Sequence, residues 1–310
     1  MTQVISTLIS ALLPVVVTLM LGYFAGFRQD FNGDSAAEIN KLVMNYTLPL
    51  SLFGGIIATN GQILLKNIQV ALWIFIGMVG GYVIVLLVLL YLFKNKLSIA
   101  ALRTLAITGP AIPFVGPTVL GALFPAKSAL LVSIGGLVMN IIQVPLTVIL
   151  LSSQSKQKIS LGTNLKNAFK KPVVWAPILA FILVICGLTI SPDWERCFSV
   201  LGQATGGLAL FSSGIVLFEK KPKLSLPVWA NTLTKIIIIP LVMYALMKVC
   251  HVAPQTLRES LVSLGIPTAA ICTIFANQYQ LAEREMASTL FLSTVLSVFT
   301  LGFIIVFLGI

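Results

Sequence analysis

The chain has 310 residues, of which 58% are hydrophobic and only 9% are charged, whereas soluble domains carry about 25% charged residues. This composition excludes a water-soluble domain, which needs polar surface, and a disordered chain, which needs low hydrophobicity and high charge. The apolar residues form runs of about twenty, the length of a membrane-spanning helix, so the sequence predicts an all-α integral membrane protein. The net charge of +11 could suggest a nucleic-acid partner, but the basic residues lie in short connections, where they indicate membrane topology instead.

Ten apolar segments, numbered spans 1 to 10, follow one another along the chain. They cover residues 4–27, 35–59, 69–93, 102–124, 127–152, 172–191, 198–218, 226–248, 257–278 and 284–309. The longest connection is polar and basic and lies at the middle of the chain. We therefore predict a first five-helix repeat over 1–152, a cytoplasmic linker over 153–171 and a second five-helix repeat over 172–310.

Lysine and arginine are divided unequally between alternate connections. The connections after spans 1, 3, 5, 7 and 9 carry 14 of the 20 basic residues, those after spans 2, 4, 6 and 8 carry 5, and Lys235 lies inside span 8. Because basic connections stay in the cytoplasm, we predict a multi-pass protein of the inner (plasma) membrane with both termini outside. Five spans in each half give the halves opposite orientation, which is the inverted-topology repeat of secondary transporters.

An internal match supports this repeat. Residues 45–53 of span 2 can be aligned with residues 203–211 of span 7, so that Thr, two Leu and Phe coincide and Asn45 meets Gln203. The inverted pairing requires a match between these two spans.

Spans 4 and 9 are interrupted by proline and glycine. The segment 108–117 holds three prolines and two glycines, and span 9 holds Gly265 two residues before a proline. Proline removes a backbone donor and clashes with the preceding turn, so a continuous helix is excluded in span 4; for span 9 a plain kink is the alternative. Paired breaks in two halves predict a binding site at the membrane midplane. Its residues would be Gly109, Pro110, Pro113, Pro267 and Thr268.

Amide and hydroxyl side chains within the spans are further candidates. A buried amide is costly unless it is hydrogen-bonded, so each such group either joins helices or contacts a substrate. Asn140 and Gln143 of span 5 are spaced i,i+3, which puts both on one face of an α-helix and favours substrate contact. The candidates on spans 2 and 7 are Asn45, Thr47, Gln203 and Thr205.

Lys235 is a charge within a membrane span, which is expensive and predicts a functional role. It could pair with an anionic substrate, or serve as a fixed positive charge in place of a coupling cation. The alternative is a lysine whose long side chain reaches the nearby interface.

The acidic residues give a complementary indication. None of the nine lies near the middle of a span, so the chain is poorly suited to carry a cation. A site of amides, hydroxyls, helix N-termini and one lysine suits an anion. The sequence contains no phosphate-binding loop, zinc-protease motif or nucleophile elbow, and its four cysteines form no CxxC pair. We therefore predict neither an enzyme nor a bound cofactor or metal.

A set of short segments occurs in order along essentially the whole chain. It comprises residues 21–26, 39–49 and 109–116, Asn140 with Pro145, residues 170–177 and 231–235, and Pro267. In this order the segments resemble the auxin efflux carrier family in its bacterial branch, whose members are malate or malonate permease-like.

The resemblance implies a ten-helix, five-plus-five inverted-repeat fold like that of bile-acid symporters and sodium–proton antiporters. It implies a scaffold domain of spans 1, 2, 6 and 7 and a transport domain of spans 3–5 and 8–10, with broken spans 4 and 9 crossing at their prolines. It also implies an elevator-type motion. Pro113 and Pro117 stand where relatives more often carry glycine or an apolar residue, which leaves the crossover proline open between Pro110 and Pro113.

We expect a secondary transporter that moves a small organic anion, a C3–C4 dicarboxylate such as malate or malonate, across the lipid bilayer. An aromatic carboxylate (auxin-like) or an amino acid is the alternative cargo on the same fold, and a non-transporting membrane receptor or scaffold is the alternative class. Uniport, proton or sodium coupling, exchange, the direction of transport and assembly as a homodimer all stay open.

Overall fold

The computed structural model describes residues 2–57, 67–152, 170–186, 191–221 and 224–310. Within these ranges the regular structure is helical, and the one β-type contact is an isolated bridge. The prediction of an all-α chain is confirmed for this part. Most of the predicted linker, residues 153–169, and the predicted ends of spans 2 and 6 lie outside the described residues.

The described part of the first half forms nine α-helices. They are α1 (Thr2–Phe27), α2 (Gly33–Leu42), α3 (Leu48–Ile57), α4 (Ile68–Phe75), α5 (Gly81–Leu87), α6 (Leu97–Thr108), α7 (Ile112–Leu123), α8 (Ser128–Val138) and α9 (Val144–Ser152). Single π-helical turns join three of the neighbouring pairs into continuous helices. These turns are Val43–Thr47 between α2 and α3, Ile76–Gly80 between α4 and α5, and Met139–Gln143 between α8 and α9. A further π turn, Val88–Leu92, extends α5.

The described part of the second half forms eight α-helices. They are α10 (Pro172–Ile185), α11 (Pro192–Gly202), α12 (Ala204–Lys220), α13 (Leu226–Leu233), α14 (Ile239–Val249), α15 (Pro254–Gly265), α16 (Ile271–Gln278) and α17 (Glu283–Leu308). The π turn Thr234–Ile238 joins α13 to α14. The helical segment of span 7 begins earlier than the predicted residue 198. Helix α11 starts at Pro192, and only Gln203 separates it from α12.

Several of these helices have the length and composition of membrane spans. Five are long enough to cross a bilayer: Ile68–Leu92, Ser128–Ser152, Arg196–Lys220, Leu226–Val249 and Glu283–Leu308. Four shorter apolar helices accompany them: Leu12–Phe27, Leu97–Thr108, Ile112–Leu123 and Pro172–Val184. These nine segments coincide with predicted spans 1, 3 to 8 and 10, so the chain is a helical membrane protein.

Spans 4 and 9 are each broken into two helices. In span 4, α6 ends at Thr108 and α7 begins at Ile112; in span 9, α15 ends at Gly265 and α16 begins at Ile271. The intervening residues include Pro110 and Pro267, neither of which can donate a backbone hydrogen bond to a continuing helix. The interruptions predicted from proline and glycine are confirmed in both spans.

Helices α1 and α12 pack closely because glycines lie in their interface. A Cβ added to Gly22 of α1 would overlap the carbonyl oxygen of Phe211, and one added to Gly214 of α12 would overlap that of Leu19. Small residues of this kind let membrane helices approach backbone to backbone. Helix α3 in turn contacts α10 and α11, so contacts link the helices of spans 2, 6 and 7, and α1 joins them through α12.

Candidate functional site

The two helix breaks lie side by side and are joined through their backbones. The N–H of Ala111 donates to the carbonyl of Pro267 at 2.8 Å, and the N–H of Ala269 donates to the carbonyl of Gly109 at 3.0 Å. This antiparallel bridge sets Pro110 opposite Thr268. Each break therefore satisfies backbone groups of the other, as the interior of a membrane requires.

The bridge also distinguishes the two prolines between which the sequence left the crossover open. Pro110 lies in the bridge itself. Pro113 lies in the first turn of α7, where a missing N–H costs no helical hydrogen bond. The structure therefore puts Pro110 where the two spans meet.

Side chains satisfy carbonyl groups at the end of α6. Thr268 donates its hydroxyl to the carbonyl of Ala106 at 2.8 Å. The amide nitrogen of Gln143 donates to the carbonyl of Thr108 at 3.2 Å and to that of Met78 at 2.9 Å. The last four carbonyls of a helix have no partner within it, so these two side chains stabilise the end of the broken helix.

Lys235 donates a hydrogen bond to the end of the other broken helix, α15. Its side chain is fully buried, and its Nζ donates to the carbonyl of Leu264, in the last turn of α15, at 3.1 Å. Among the described residues no carboxylate lies within ion-pair distance of it. The C-terminal end of a helix carries partial negative charge. Lys235 therefore sets a donor amino group against the carbonyl end of a half-helix.

A small cavity of about 30 Å³ lies beside the breaks. Helices α3 and α12 form one side of it; α7, the turn between α8 and α9, and the start of α16 form the other. Its lining includes Ser51, Pro113, Phe114, Asn140, Thr205 and Ile271. This volume is enough for water but is far below the roughly 300–1,000 Å³ of a small-molecule site.

Two polar side chains meet at this cavity without hydrogen-bond partners in the described part of the chain. Asn140 is 8% exposed, and its amide makes no hydrogen bond there. Thr205 is 1% exposed, and its hydroxyl is unpartnered. Buried polar groups are nearly always hydrogen-bonded, so the unpartnered Thr205 hydroxyl beside the Asn140 amide is a place where a ligand or water could bind.

The structure separates the other predicted residues. Gln143 does not share the Asn140 cavity, because the π turn between α8 and α9 is wider than an α-helical turn and changes which residues face the same way. The Thr47 hydroxyl is buried and unpartnered but lies outside the cavity lining. Asn45 and Gln203 are exposed and also lie outside it.

Ser51 was missed by the sequence analysis. Its hydroxyl-bearing side chain lines the cavity opposite Asn140, and Ala209 lines it too. The signal was available, since Ser51 and Ala209 occupy the same column when 45–53 is aligned with 203–211.

Two ion pairs that involve the first halves of the broken spans, away from the breaks, were also missed. Arg103 of α6 makes two parallel hydrogen bonds to Glu285 of α17, at 2.7 and 2.9 Å, and both side chains are about one-sixth exposed. Lys127, directly before α8, lies 2.9 Å from Glu259 of α15, which is fully buried. All four residues lie within two positions of the first residue of a predicted span.

No group of three or more His, Cys, Asp or Glu side chains in the described residues could hold a metal ion. The polar groups near the breaks are instead amides, hydroxyls, backbone carbonyls and one lysine.

Apolar membrane helices, two of them broken and joined at their breaks, are typical of membrane transport proteins. A family model described as "membrane transport protein" matches residues 7–305. The chain belongs to this family, the auxin efflux carrier family, and the resemblance predicted from the sequence is confirmed.

Relatives agree with this assignment. The chain is 32% identical to the uncharacterized transporter YfdV of Escherichia coli (strain K12). The alignment of 302 residues covers 96% of this chain and 94% of the relative. The YfdV proteins of Escherichia coli O157:H7 and Shigella flexneri are similar to the same extent. The family and these relatives carry the names of transporters and not of enzymes.

Proposed function

We propose that the protein is a secondary transporter for a small organic anion, a C3–C4 dicarboxylate such as malate or malonate. The observation that carries this proposal is the cavity at the helix breaks, which is lined by the Asn140 amide and by a Thr205 hydroxyl that has no hydrogen-bond partner among the described residues. A carboxylate supplies the acceptor oxygens that an amide N–H and a hydroxyl need.

The sign of the charge around the breaks supports an anion. Helices α7 and α16 both begin at the breaks, and a helix N-terminus carries partial positive charge and unpaired N–H groups. Lys235 adds a positive group at Leu264, three residues before Pro267. No carboxylate lines the cavity.

We further propose the ten-span, five-plus-five inverted repeat. Pro110 and Pro267 at the two breaks are 157 residues apart. The residues of the two ion pairs correspond at nearly the same offset. Arg103 of one pair lies 156 residues before Glu259 of the other, and Lys127 lies 158 residues before Glu285. Each repeat thus contributes one member to each pair, with the charges exchanged. Two ion pairs related in this way are expected from an inverted repeat.

The mechanism that fits is an elevator-type alternation. The cavity lies between α3 and α12, which belong to the predicted scaffold domain, and α7 to α9 with α16, which belong to the predicted transport domain. At about 30 Å³ it has room for water but is far smaller than the roughly 300–1,000 Å³ of a small-molecule pocket. Sliding of one set of helices against the other would open it to one side of the membrane at a time.

Purified protein in liposomes tests the proposal. Uptake of labelled malate and malonate is compared with that of indole-3-acetate and of neutral amino acids, under controlled pH, sodium and voltage. We expect saturable dicarboxylate uptake that falls at least tenfold in Asn140→Ala. The matched control is Gln278→Ala, an exposed amide at the end of α16, which should transport normally.

Each other result identifies an alternative. Uptake of only aromatic carboxylates or amino acids would keep the fold and the transport class but replace the cargo. Absence of flux for every solute in the panel, with intact folded protein, would support a receptor or scaffold and overturn the proposal.

A further inference from the structure

A long apolar groove opens on the surface between span 3 and span 8. It encloses about 620 Å³. One wall runs along α5 and its flanking π turns from Ile76 to Phe93, and the other along α13 and α14 from Leu226 to Leu246. Residues 76 to 93 extend over roughly 25 Å at 1.5 Å per residue. That is most of the hydrocarbon thickness of a bilayer, about 30 Å.

Glycines give this groove its depth. Both Gly80 and Gly81 line it. A Cβ added to Gly80 would meet no atom closer than a methyl group of Ile76 on its own helix, at 3.8 Å. Side-chain volume is therefore missing from the wall, and no other part of the described chain fills the space.

The groove is apolar along its length and lies on helices that have the composition of membrane spans. Water is excluded from the hydrocarbon region, and an empty apolar slot loses the dispersion contacts of its walls. A hydrocarbon chain from the bilayer is the occupant that matches both the shape and the chemistry.

One end of the groove is polar and basic. Asn95, Arg103 and Asn231 line that end. Arg103 is already engaged by Glu285 and by the amide oxygen of Asn95, so its charge is balanced. Lys94 and Lys96, on either side of Asn95, are exposed.

These two lysines have no ion-pair partner in the described residues. The positive-residue distribution assigns this end of span 3 to the cytoplasm, where the leaflet carries anionic lipid. Basic groups beside a slot between membrane helices are the arrangement that binds lipid phosphate.

We propose that this groove binds one acyl chain of an anionic phospholipid and that Lys94 and Lys96 hold its phosphate. The site is separate from the cavity at the helix breaks, and it does not depend on which solute the protein transports.

Native mass spectrometry of the delipidated full-length protein tests this. Phosphatidylglycerol and phosphatidylcholine with identical chains are titrated separately. We expect tighter retention of phosphatidylglycerol, with the preference falling about fivefold for each lysine replaced in Lys94→Gln and Lys96→Gln. Lys41→Gln, an exposed lysine on α2, should leave the preference unchanged.

The groove itself is tested by filling it. Gly80→Leu should lower retention of both lipids at least tenfold, whereas Gly207→Leu, where an added Cβ meets nothing within 4 Å, should not. If Gly80→Leu fails to fold, Ala230→Leu fills the groove from the opposite wall. Equal retention of the two lipids by the unaltered protein, or unchanged retention in a folded filling variant, would overturn the proposal.

Discussion

Lys235 and Leu264 are joined by a hydrogen bond of 3.1 Å that links span 8 to the end of the first half of span 9. The bond fixes the lysine amino group two residues before Ile266, where the chain leaves the helix and enters the bridge. The lysine is fully buried and cannot reach water, so the snorkelling alternative does not describe this structure.

Replacement of Lys235 by Met should separate its electrostatic role from its packing. Burying an ammonium is itself costly, and this cost offsets much of the lost hydrogen bond, so we expect a melting temperature within a few degrees of the unaltered protein. Malate uptake should fall more than tenfold, because the half-helix loses its positive partner. Lys235→Ala or Lys235→Met with unchanged uptake rate and affinity would refute the functional role.

Asn140 and Gln143 should respond oppositely to truncation. Asn140→Ala removes an unpartnered amide, so thermal stability should hold while uptake falls. Gln143→Ala leaves the carbonyls of Met78 and Thr108 without this donor, and the expected loss of stability is about 1–3 kcal/mol. Thermal unfolding of both variants, together with uptake, checks the contrast. The reverse pattern would contradict the assignment of the cavity to Asn140.

The Arg103–Glu285 pair should be a major contributor to stability. Arg103→Gln leaves a mostly buried carboxylate with Asn231 as its remaining partner, and removal of one member of a buried pair costs about 3–5 kcal/mol. We expect a value near the lower limit, because the pair keeps some exposure. Arg103→Glu combined with Glu285→Arg should recover part of the loss. Lys41→Gln is the exposed control, expected within about 0.5 kcal/mol.

The contact between α1 and α12 should tolerate no side chain at its glycines. In Gly214→Val the new Cβ would overlap the carbonyl of Leu19, so the helices must separate and the loss should exceed the 1–3 kcal/mol typical of overpacking. Gly207→Val on the same helix carries the same β-branched penalty in open space. A comparison of melting temperatures isolates the contact, and equal values would show that the helices need not approach so closely.

Elevator motion should be blocked by tying α12 to α17. Lys220 lies 3.4 Å from Glu283 across these helices, one from the predicted scaffold and one from the predicted transport domain. With exposed native cysteines replaced, Lys220→Cys and Glu283→Cys joined by a cleavable bismaleimide should lose uptake and regain it on cleavage. Gly33→Cys with Glu219→Cys, which join two helices of the predicted scaffold, is the control. Undiminished uptake in the linked α12–α17 protein would exclude relative motion there.

Local physics explains how much of this fold was predictable. The spans follow from hydropathy, and the breaks follow from Pro110 and Pro267, because proline acts within its own turn. The separation of Asn140 from Gln143 depends on a π turn, which no residue spacing reveals. The partners of Lys235 and Arg103 are 29 and 182 residues away along the chain, and such pairings depend on packing that a hydropathy pattern does not encode.

The bridge between the breaks has a consequence for biosynthesis. Gly109 and Ala111 are translated about 157 residues before Pro267 and Ala269, which at bacterial and eukaryotic elongation rates is a delay of roughly 8 to 30 seconds. During that interval their backbone groups have no final partner, although exposure to lipid costs several kcal/mol for each group. The nascent first half therefore needs a temporary partner, such as trapped water or the insertion machinery. A chain truncated before span 9 would keep that temporary partner, because it lacks Pro267 and Ala269.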